Sequence, residues 1–266
     1  MYEIKKKNTN SGVIHKMSSF TATIYDNAAE NWIRRSPVAL SDYTGRPALF
    51  EFCGDVADLT IADLGCGEGY CARELVKRGA NQVDGIDISQ GMINAASIAA
   101  GADRKMSFQI GNIKSTPFSS SHYDIAIGAF VYNYLSVEET RLSFKEVYRI
   151  LKVGGRFIFC VPHPAFPFIH RQNKRPFYFD FKTGGYFSSR DTHATGEIWR
   201  LDGLKLPVEM HHKLISDYFD ALSAAGFNQI PAIRELGVTE ALLAQNHEFF
   251  SPLSDVPLHM LFSITK

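Results

Sequence analysis

An α/β fold around an open, mostly parallel sheet follows from three features of the 266-residue chain. From Leu59 onward, short apolar runs alternate with stretches of helical periodicity, the signature of βαβ units. The first run ends in a glycine-rich turn, Asp63-Leu64-Gly65-Cys66-Gly67-Glu68-Gly69, that leads into a helix. The composition, 45% hydrophobic and 21% charged, is that of an ordinary folded globule, and the length fits one large domain or one domain with an attached cap. Collagen-like, coiled-coil and wholly disordered chains are excluded.

Residues 1–16 are polar and read as a solvated tail. Residues 17–57 mix aromatic with polar residues and include a helix over Asp26–Arg34, ended by Ser36-Pro37. The first strand is Thr60–Leu64, and the helix after it, near Tyr70–Arg78, stops at Gly79. The second strand, Gln82–Ile86, ends at Asp87; Ser89 then caps a helix through Ala100 that Gly101 terminates. Met106–Ile110 and Tyr123–Gly128 are the third and fourth strands. A helix over Glu138–Leu151 turns Leu142, Val147, Ile150 and Leu151 toward the core, and Gly154-Gly155 leads into a fifth strand, Arg156–Val161.

The rhythm breaks over 162–209, where Pro, Gly and aromatic residues dominate. A structureless stretch of that length is unusual inside a compact domain, so it is expected to be functional or to form a small cap. The αβ pattern then resumes. Leu214, Ile215, Tyr218, Phe219, Leu222 and Ala225 make one helical face ended by Gly226, and Phe227–Arg234 and Leu258–Ile264 read as two last strands forming a hairpin at a sheet edge. The expected division is a tail and helical cap (1–57), a ligand-binding α/β core (58–162), a substrate-cap insert (163–209), and a closing helix and strands (210–266).

Charge and cysteine usage narrow the function classes. The 28 Lys and Arg balance 28 Asp and Glu, and no basic stripe stands out, so no nucleic-acid partner is expected. No run approaches the roughly 18 apolar residues of a membrane span, and the basic start MYEIKKKNTNSG has no apolar segment behind it, so neither a membrane partner nor a secretory signal is expected. Cys53, Cys66, Cys71 and Cys160 contain no CxxC pair and match no zinc spacing. Free thiols fit a reducing compartment, the cytoplasm. The nine histidines form no HxxxH or carboxylate facial pattern, so no metal is expected.

In an open α/β sheet, ligands sit beyond the carboxyl ends of the strands. Glycines there permit a tight turn and close approach of a ligand, and the following helix offers free N–H groups. The dinucleotide fingerprint needs a small residue at the place taken here by Tyr70, which argues against a nicotinamide oxidoreductase. Asp87, ending the second strand 22 residues after Gly65, can accept hydrogen bonds from both hydroxyls of a ribose.

The ordered segments ADLGCGEG, GIDIS, GNIKSTPF, YDIAIGAF and LKVGGRFIF resemble those of class I S-adenosylmethionine-dependent methyltransferases, strongly over about 58–162 and more loosely beyond. The resemblance implies a Rossmann-like methyltransferase fold: a doubly wound, mostly parallel, seven-stranded sheet with a reversed last strand. It implies S-adenosyl-L-methionine as cofactor, with Asp63 and the Gly65-Cys66-Gly67 backbone near the methionyl end and Asp87 on the ribose. Ile88 and Met92 would pack on the adenine, Asn112 and Ile113 would meet its edge, and Ala129 would pass the methionyl portion. Where the family often has Asp, this chain has Asn112, which leaves backbone contact as the firmer expectation. Tyr25 and Trp32 resemble parts of the N-terminal helix that closes over the cofactor in many members.

Because the sulfonium methyl group is already activated, the enzyme's main task is to hold a nucleophile in line at about 3–3.5 Å. A base helps only when the acceptor must lose a proton. Acceptor-side candidates follow the fourth and fifth strands: Tyr132, with Asn133 and Tyr134, and His163, set between two prolines. His211 and His212, if extended, face opposite ways, so one of them can reach the pocket. The aromatics of the insert, Phe166 to Trp199, are expected to roof an apolar or aromatic substrate or to form a satellite core, and a homodimer contact is a third use open to them. The expected function is methyl transfer to an O, N or C atom of a small metabolite. The alternatives are a cyclase or decarboxylase on the same cofactor site and a catalytically inactive cofactor-binding partner protein.

Overall fold

In the computed structural model, β1 (Thr60–Leu64) lies inside a seven-stranded sheet between β2 (Gln82–Asp87) and β4 (Tyr123–Ala129), parallel to both. The full order is β3 (Met106–Ile110), β2, β1, β4, β5 (Leu151–Pro162), β10 (His259–Thr265), β9 (Ala232–Leu236). Within this sheet β10 runs against both its neighbours. The structure describes Thr23, Tyr25, Asp26, 31–34, 36–169 and 175–266. The tail over 1–16, His170 and Lys174 lie outside these residues.

The central strands are apolar on both faces, as a parallel sheet covered on both sides requires. On one face α5 (Val137–Ile150) and α6 (Ile215–Ala225) bury Phe144, Val147, Tyr218 and Leu222 against Phe157, Phe159 and Phe262. On the other, α2 (Arg46–Cys53) and α3 (Tyr70–Lys77) bury Leu49, Phe50 and Leu75 against Ile61, Ile125 and Ile158. α4 (Gln90–Ala100) starts where Ser89 Oγ accepts from the Met92 N–H at 3.1 Å. α5 starts with a reciprocal capping box between Ser136 and Glu139.

Several boundaries differ from the sequence reading for local reasons. α5 ends at Ile150 and β5 begins at once at Leu151, because Lys152–Gly155 bulges out of register between the pairs Tyr123–Leu151 and Ile125–Arg156. Leu142 is 44% exposed; Ser143 takes the inward position, its hydroxyl donating to the Ile113 carbonyl. β9 begins at Ala232, not Phe227, whose ring packs into the core just after the Gly226 cap. β9 and β10 pair antiparallel, but about twenty residues with two short helices join them, and β10 lies inside the sheet rather than at its edge. Thr23, Tyr25, Asp26, Asn31 and Trp32 are helical, whereas Ile33 and Arg34 have already left the helix. Two further helices, α1 (Leu40–Thr44) and α2, fill the stretch before β1 that the sequence left unassigned.

The irregular insert is a second sheet. β6 (Phe177–Phe179), β7 (His193–Trp199) and β8 (Lys205–His211) pair antiparallel in that order. Phe177, Phe179, Ile198, Leu206 and Val208 from this sheet share a core with Leu40 of α1 and with Phe250, Leu253 and Leu258. Among the described residues, no helix is long and apolar enough to cross a membrane.

Candidate active site

The carboxyl ends of β1, β2 and β4, the helix α1 and the small sheet enclose a cavity of about 750 Å³. It opens where the chain topology switches direction around β1, the place an open α/β sheet offers a ligand. Every cofactor-side residue expected from the sequence lines it: Tyr25, Trp32, Asp63, Gly65, Cys66, Gly67, Asp87, Ile88, Met92, Asn112, Ile113 and Ala129.

The glycine loop is built for close approach. Gly65 has φ +69°, and a Cβ there would lie 2.4 Å from Val131 Cγ2. Gly67 has φ +53° and faces open space, so its backbone is bare toward the cavity. The Gly65 and Cys66 N–H groups donate to the Ile86 carbonyl at 2.8 and 3.1 Å, tying the loop to β2. Asp87 completes the tie: Oδ2 accepts from Gly67 N at 2.9 Å and Oδ1 from Ser89 N at 3.0 Å. Each carboxylate oxygen can accept further bonds, so the group can still receive ligand hydroxyls. Burial pushes its carboxyl above the usual carboxylate range, against the pull of those backbone donors.

Asp63 is buried, and its Oδ2 has no hydrogen-bond partner. Burial raises its carboxyl to about 7, with Asp87 and Glu68 adding and Arg46 opposing. Beside it lies a charge cluster that the sequence reading missed. Arg46 reaches Asp42 at 2.9 Å and Ser41 Oγ at 2.6 Å; Arg34 lies 3.2 Å from both Asp42 and Glu68; Arg73 meets Glu68 at 2.5 Å. Three guanidiniums thus meet two carboxylates at this end, with the Asp63 carboxyl beside Arg46. The available signal was the string of Arg34, Asp42, Arg46 and Glu68 in and around a region with little periodicity, and charge alone does not tell a buried network from a solvated face.

At the opposite end the walls are apolar, from Ile88, Met92 and Ile113. Asn112 Oδ1 is engaged by the Lys114 N–H at 3.0 Å, so its backbone faces a ligand more freely than its acceptor atom does. Asp26 reaches across to α4, its Oδ1 accepting from Ser89 Oγ at 2.5 Å and Gly91 N at 2.9 Å. That link holds Tyr25 and Trp32 over the cavity; their rings lie 5.6 Å apart, and the Tyr25 hydroxyl bonds that of Tyr134.

The acceptor-side expectations divide. His163 does not line the cavity: its Nδ1 accepts from Ala165 N at 3.1 Å and its Nε2 lies 2.9 Å from Glu235 Oε1, so both nitrogens serve the corner after β5. Tyr132 does not line it either, because its ring is fully buried among Phe144, Phe157 and Phe159. Its neighbours Asn133 and Tyr134 do face the cavity. His211 lines it, whereas His212 turns away, bonding the Tyr186 carbonyl at 2.7 Å among Phe168 and Phe181. Burial foremost, then Lys213 and His193, lowers the His211 imidazole to about 4, so it is neutral near pH 7. His193 and Glu209 also line this end; no sequence pattern marks them, because strand pairing across the insert is what brings them together. Among the described residues, no group of three or more His, Cys, Asp or Glu side chains is gathered as a metal site.

Comparison with known proteins places this geometry. Residues 61–155 match the family model described as a methyltransferase domain. The chain is 30% identical over 131 residues to the methyltransferase YdaC of Bacillus subtilis, covering 48% of this chain and 71% of that one. A Haemophilus influenzae protein of undescribed function is 24% identical over 230 residues, 85% of this chain and 88% of its own. The chain spans only 18% of two biotin biosynthesis bifunctional proteins that it also matches. The crystal structure of a Listeria monocytogenes protein described as an S-adenosylmethionine-dependent methyltransferase superposes with a TM-score of 0.61 at 25% identity, covering 83% of this chain and 96% of that one. With the glycine loop, the strand order and the reversed β10 all in place, the chain belongs to the class I S-adenosylmethionine-dependent methyltransferase family, and S-adenosylmethionine is its cofactor.

Proposed function

We propose that this methyltransferase acts on a small, apolar or aromatic metabolite. The carrying observation is the apolar cover that the small sheet lays over the cavity. Its volume of about 750 Å³ lies within the range of small-molecule sites, and β6–β8 cover it with Phe177, Phe179, Ile198 and Val208. A macromolecular acceptor would have to pass beneath this sheet.

The residues fit the cofactor part by part. The orphaned Asp63 Oδ2 suits the methionyl ammonium, and the Arg46 and Arg34 guanidiniums that line the same end suit the carboxylate. Asp87 would hold the ribose, Ile88 and Met92 the adenine faces, and Ile113 with the Asn112 backbone its edge. Gly65, Cys66, Gly67 and Ala129 supply close-lying backbone, and Tyr25 and Trp32 cover the site. When bound, S-adenosylmethionine supplies a methyl group already activated on sulfur. The protein's part is then to orient the acceptor and exclude water, a task for the apolar roof and for Tyr134, Asn133 and neutral His211. Four buried free cysteines support a reducing compartment, the cytoplasm.

The test is incubation with methyl-labelled S-adenosylmethionine and a cell extract separated into dialysable and macromolecular fractions. Label is expected in a dialysable product. Label confined to protein or nucleic acid contradicts the reading.

A further inference from the structure

The small sheet places three polar side chains together in an otherwise apolar roof. His193, at the start of β7, pairs in register with His211, at the end of β8; Glu209 stands two residues back on β8, on the same face as His211. Glu209 Oε1 lies 3.4 Å from His193 Nε2, and the two imidazole centroids are 5.4 Å apart. All three line the cavity. The backbone beneath is fixed: Asn133 Nδ2 donates to the Glu209 carbonyl at 3.0 Å, and buried Lys213 donates to the carbonyls of His211 and Leu135.

We propose that His193, oriented by Glu209, is the base that takes the proton from a hydroxyl or amine acceptor as it is methylated, with His211 as a hydrogen-bonding guide for that acceptor. This rests on the small-molecule reading above. The acceptor lone pair forms the new bond to carbon while the carbon–sulfur bond breaks and its electron pair stays on sulfur. The acceptor's O–H or N–H proton passes to His193 and then to solvent. Nε2 stands on the Glu209 side, 3.4 Å from Oε1, which leaves Nδ1 as the nitrogen to take that proton. A histidine with a carboxylate behind it and a substrate cavity in front is the usual arrangement of a general base. The exposures fit the direction of travel: the His193 side chain is 32% exposed and that of Glu209 6%, so the proton leaves on the solvent side. Among the described residues, the other ionisable groups around the pair are His211 on β8 and Lys213 after it, Asp191 before β7, Tyr134 after β4, Tyr25 of the N-terminal segment, and Glu139 on α5 with its partner Lys114.

The test compares wild type, His193→Gln and Glu209→Gln in single turnover, with labelled S-adenosylmethionine and the dialysable fraction of a cell extract as acceptor source. Calorimetry with S-adenosylmethionine is run alongside. His193→Gln is expected to keep cofactor affinity, to transfer about 100-fold more slowly or worse, to lose the acid limb of the pH–rate profile, and to regain rate with added imidazole. Glu209→Gln is expected to lose less, with the same pH signature. The labelled product should carry its methyl on an oxygen or nitrogen that has given up a proton. An unchanged rate and pH profile in His193→Gln, absence of imidazole rescue, parallel loss of cofactor binding, or label on an atom that loses no proton overturns the proposal. A wild-type protein that labels nothing dialysable overturns the reading beneath it as well.

Discussion

Gly65 cannot carry a side chain without moving Val131, and its positive φ is strained for any L residue. Gly65→Ala is therefore expected to lower the melting temperature and to abolish cofactor binding, read by a thermal melt and by calorimetry. Asp87→Ala removes a charged acceptor, whose hydrogen bonds are worth about 1.5–3 kcal/mol, so affinity for S-adenosylmethionine should fall about 10- to 150-fold in the same titration. Asp63 gives a pH prediction. The folded protein keeps the Asp63 proton up to about pH 7, while the unfolded chain releases it near 3.8, so this residue makes the cofactor-free protein less stable as pH rises through that interval. Asp63→Asn should flatten this part of a stability–pH curve measured by urea unfolding; an unchanged slope contradicts the assignment. Asp63, Gly65, Gly67 and Asp87 were readable in the sequence because a strand end and a glycine turn specify where they stand. Arg46 and Glu209 were not, since their partners come from distant segments.

The periodic elements were legible because period-2 and period-3.6 patterns report the buried face of each strand and helix directly. β1 to β4 and α3 to α5 came out nearly as read. The small sheet did not, because Phe177-Tyr178-Phe179 and the strands after it are short and lie among glycines and prolines, and their pairing is set by a core shared with α1 and the 250–258 segment. Tyr132 failed as a catalytic candidate for a related reason. The 3₁₀ turn Tyr132–Tyr134 sends alternate rings in opposite directions, Tyr134 to the cavity and Tyr132 into the packing between β5 and α5. Tyr132→Ala is thus expected to destabilise the fold by about 3–5 kcal/mol, as loss of a large buried ring does, while Tyr132→Phe leaves methyl transfer unchanged. A transfer rate lost in Tyr132→Phe with intact stability would return the hydroxyl to the site.

The parts combine into one cavity between the seven-stranded sheet and the small sheet, bridged by α1, whose Leu40 shares the core of β6–β8, and by the segment whose Asp26 bonds the start of α4 and whose Asn31 carbonyl accepts from Arg200. A ligand that binds only this closed arrangement stabilises the whole: at about 100 times its dissociation constant, S-adenosylmethionine should add about 2.7 kcal/mol, a rise of several degrees in melting temperature. The decisive observation is a crystal structure with S-adenosylhomocysteine. The ribose is expected against Asp87, the amino and carboxylate groups against Asp63 and Arg46, and the sulfur facing the space before His193 and His211. A nucleoside held elsewhere, or a sulfur directed away from the roof formed by β6–β8, would contradict this arrangement of donor and acceptor.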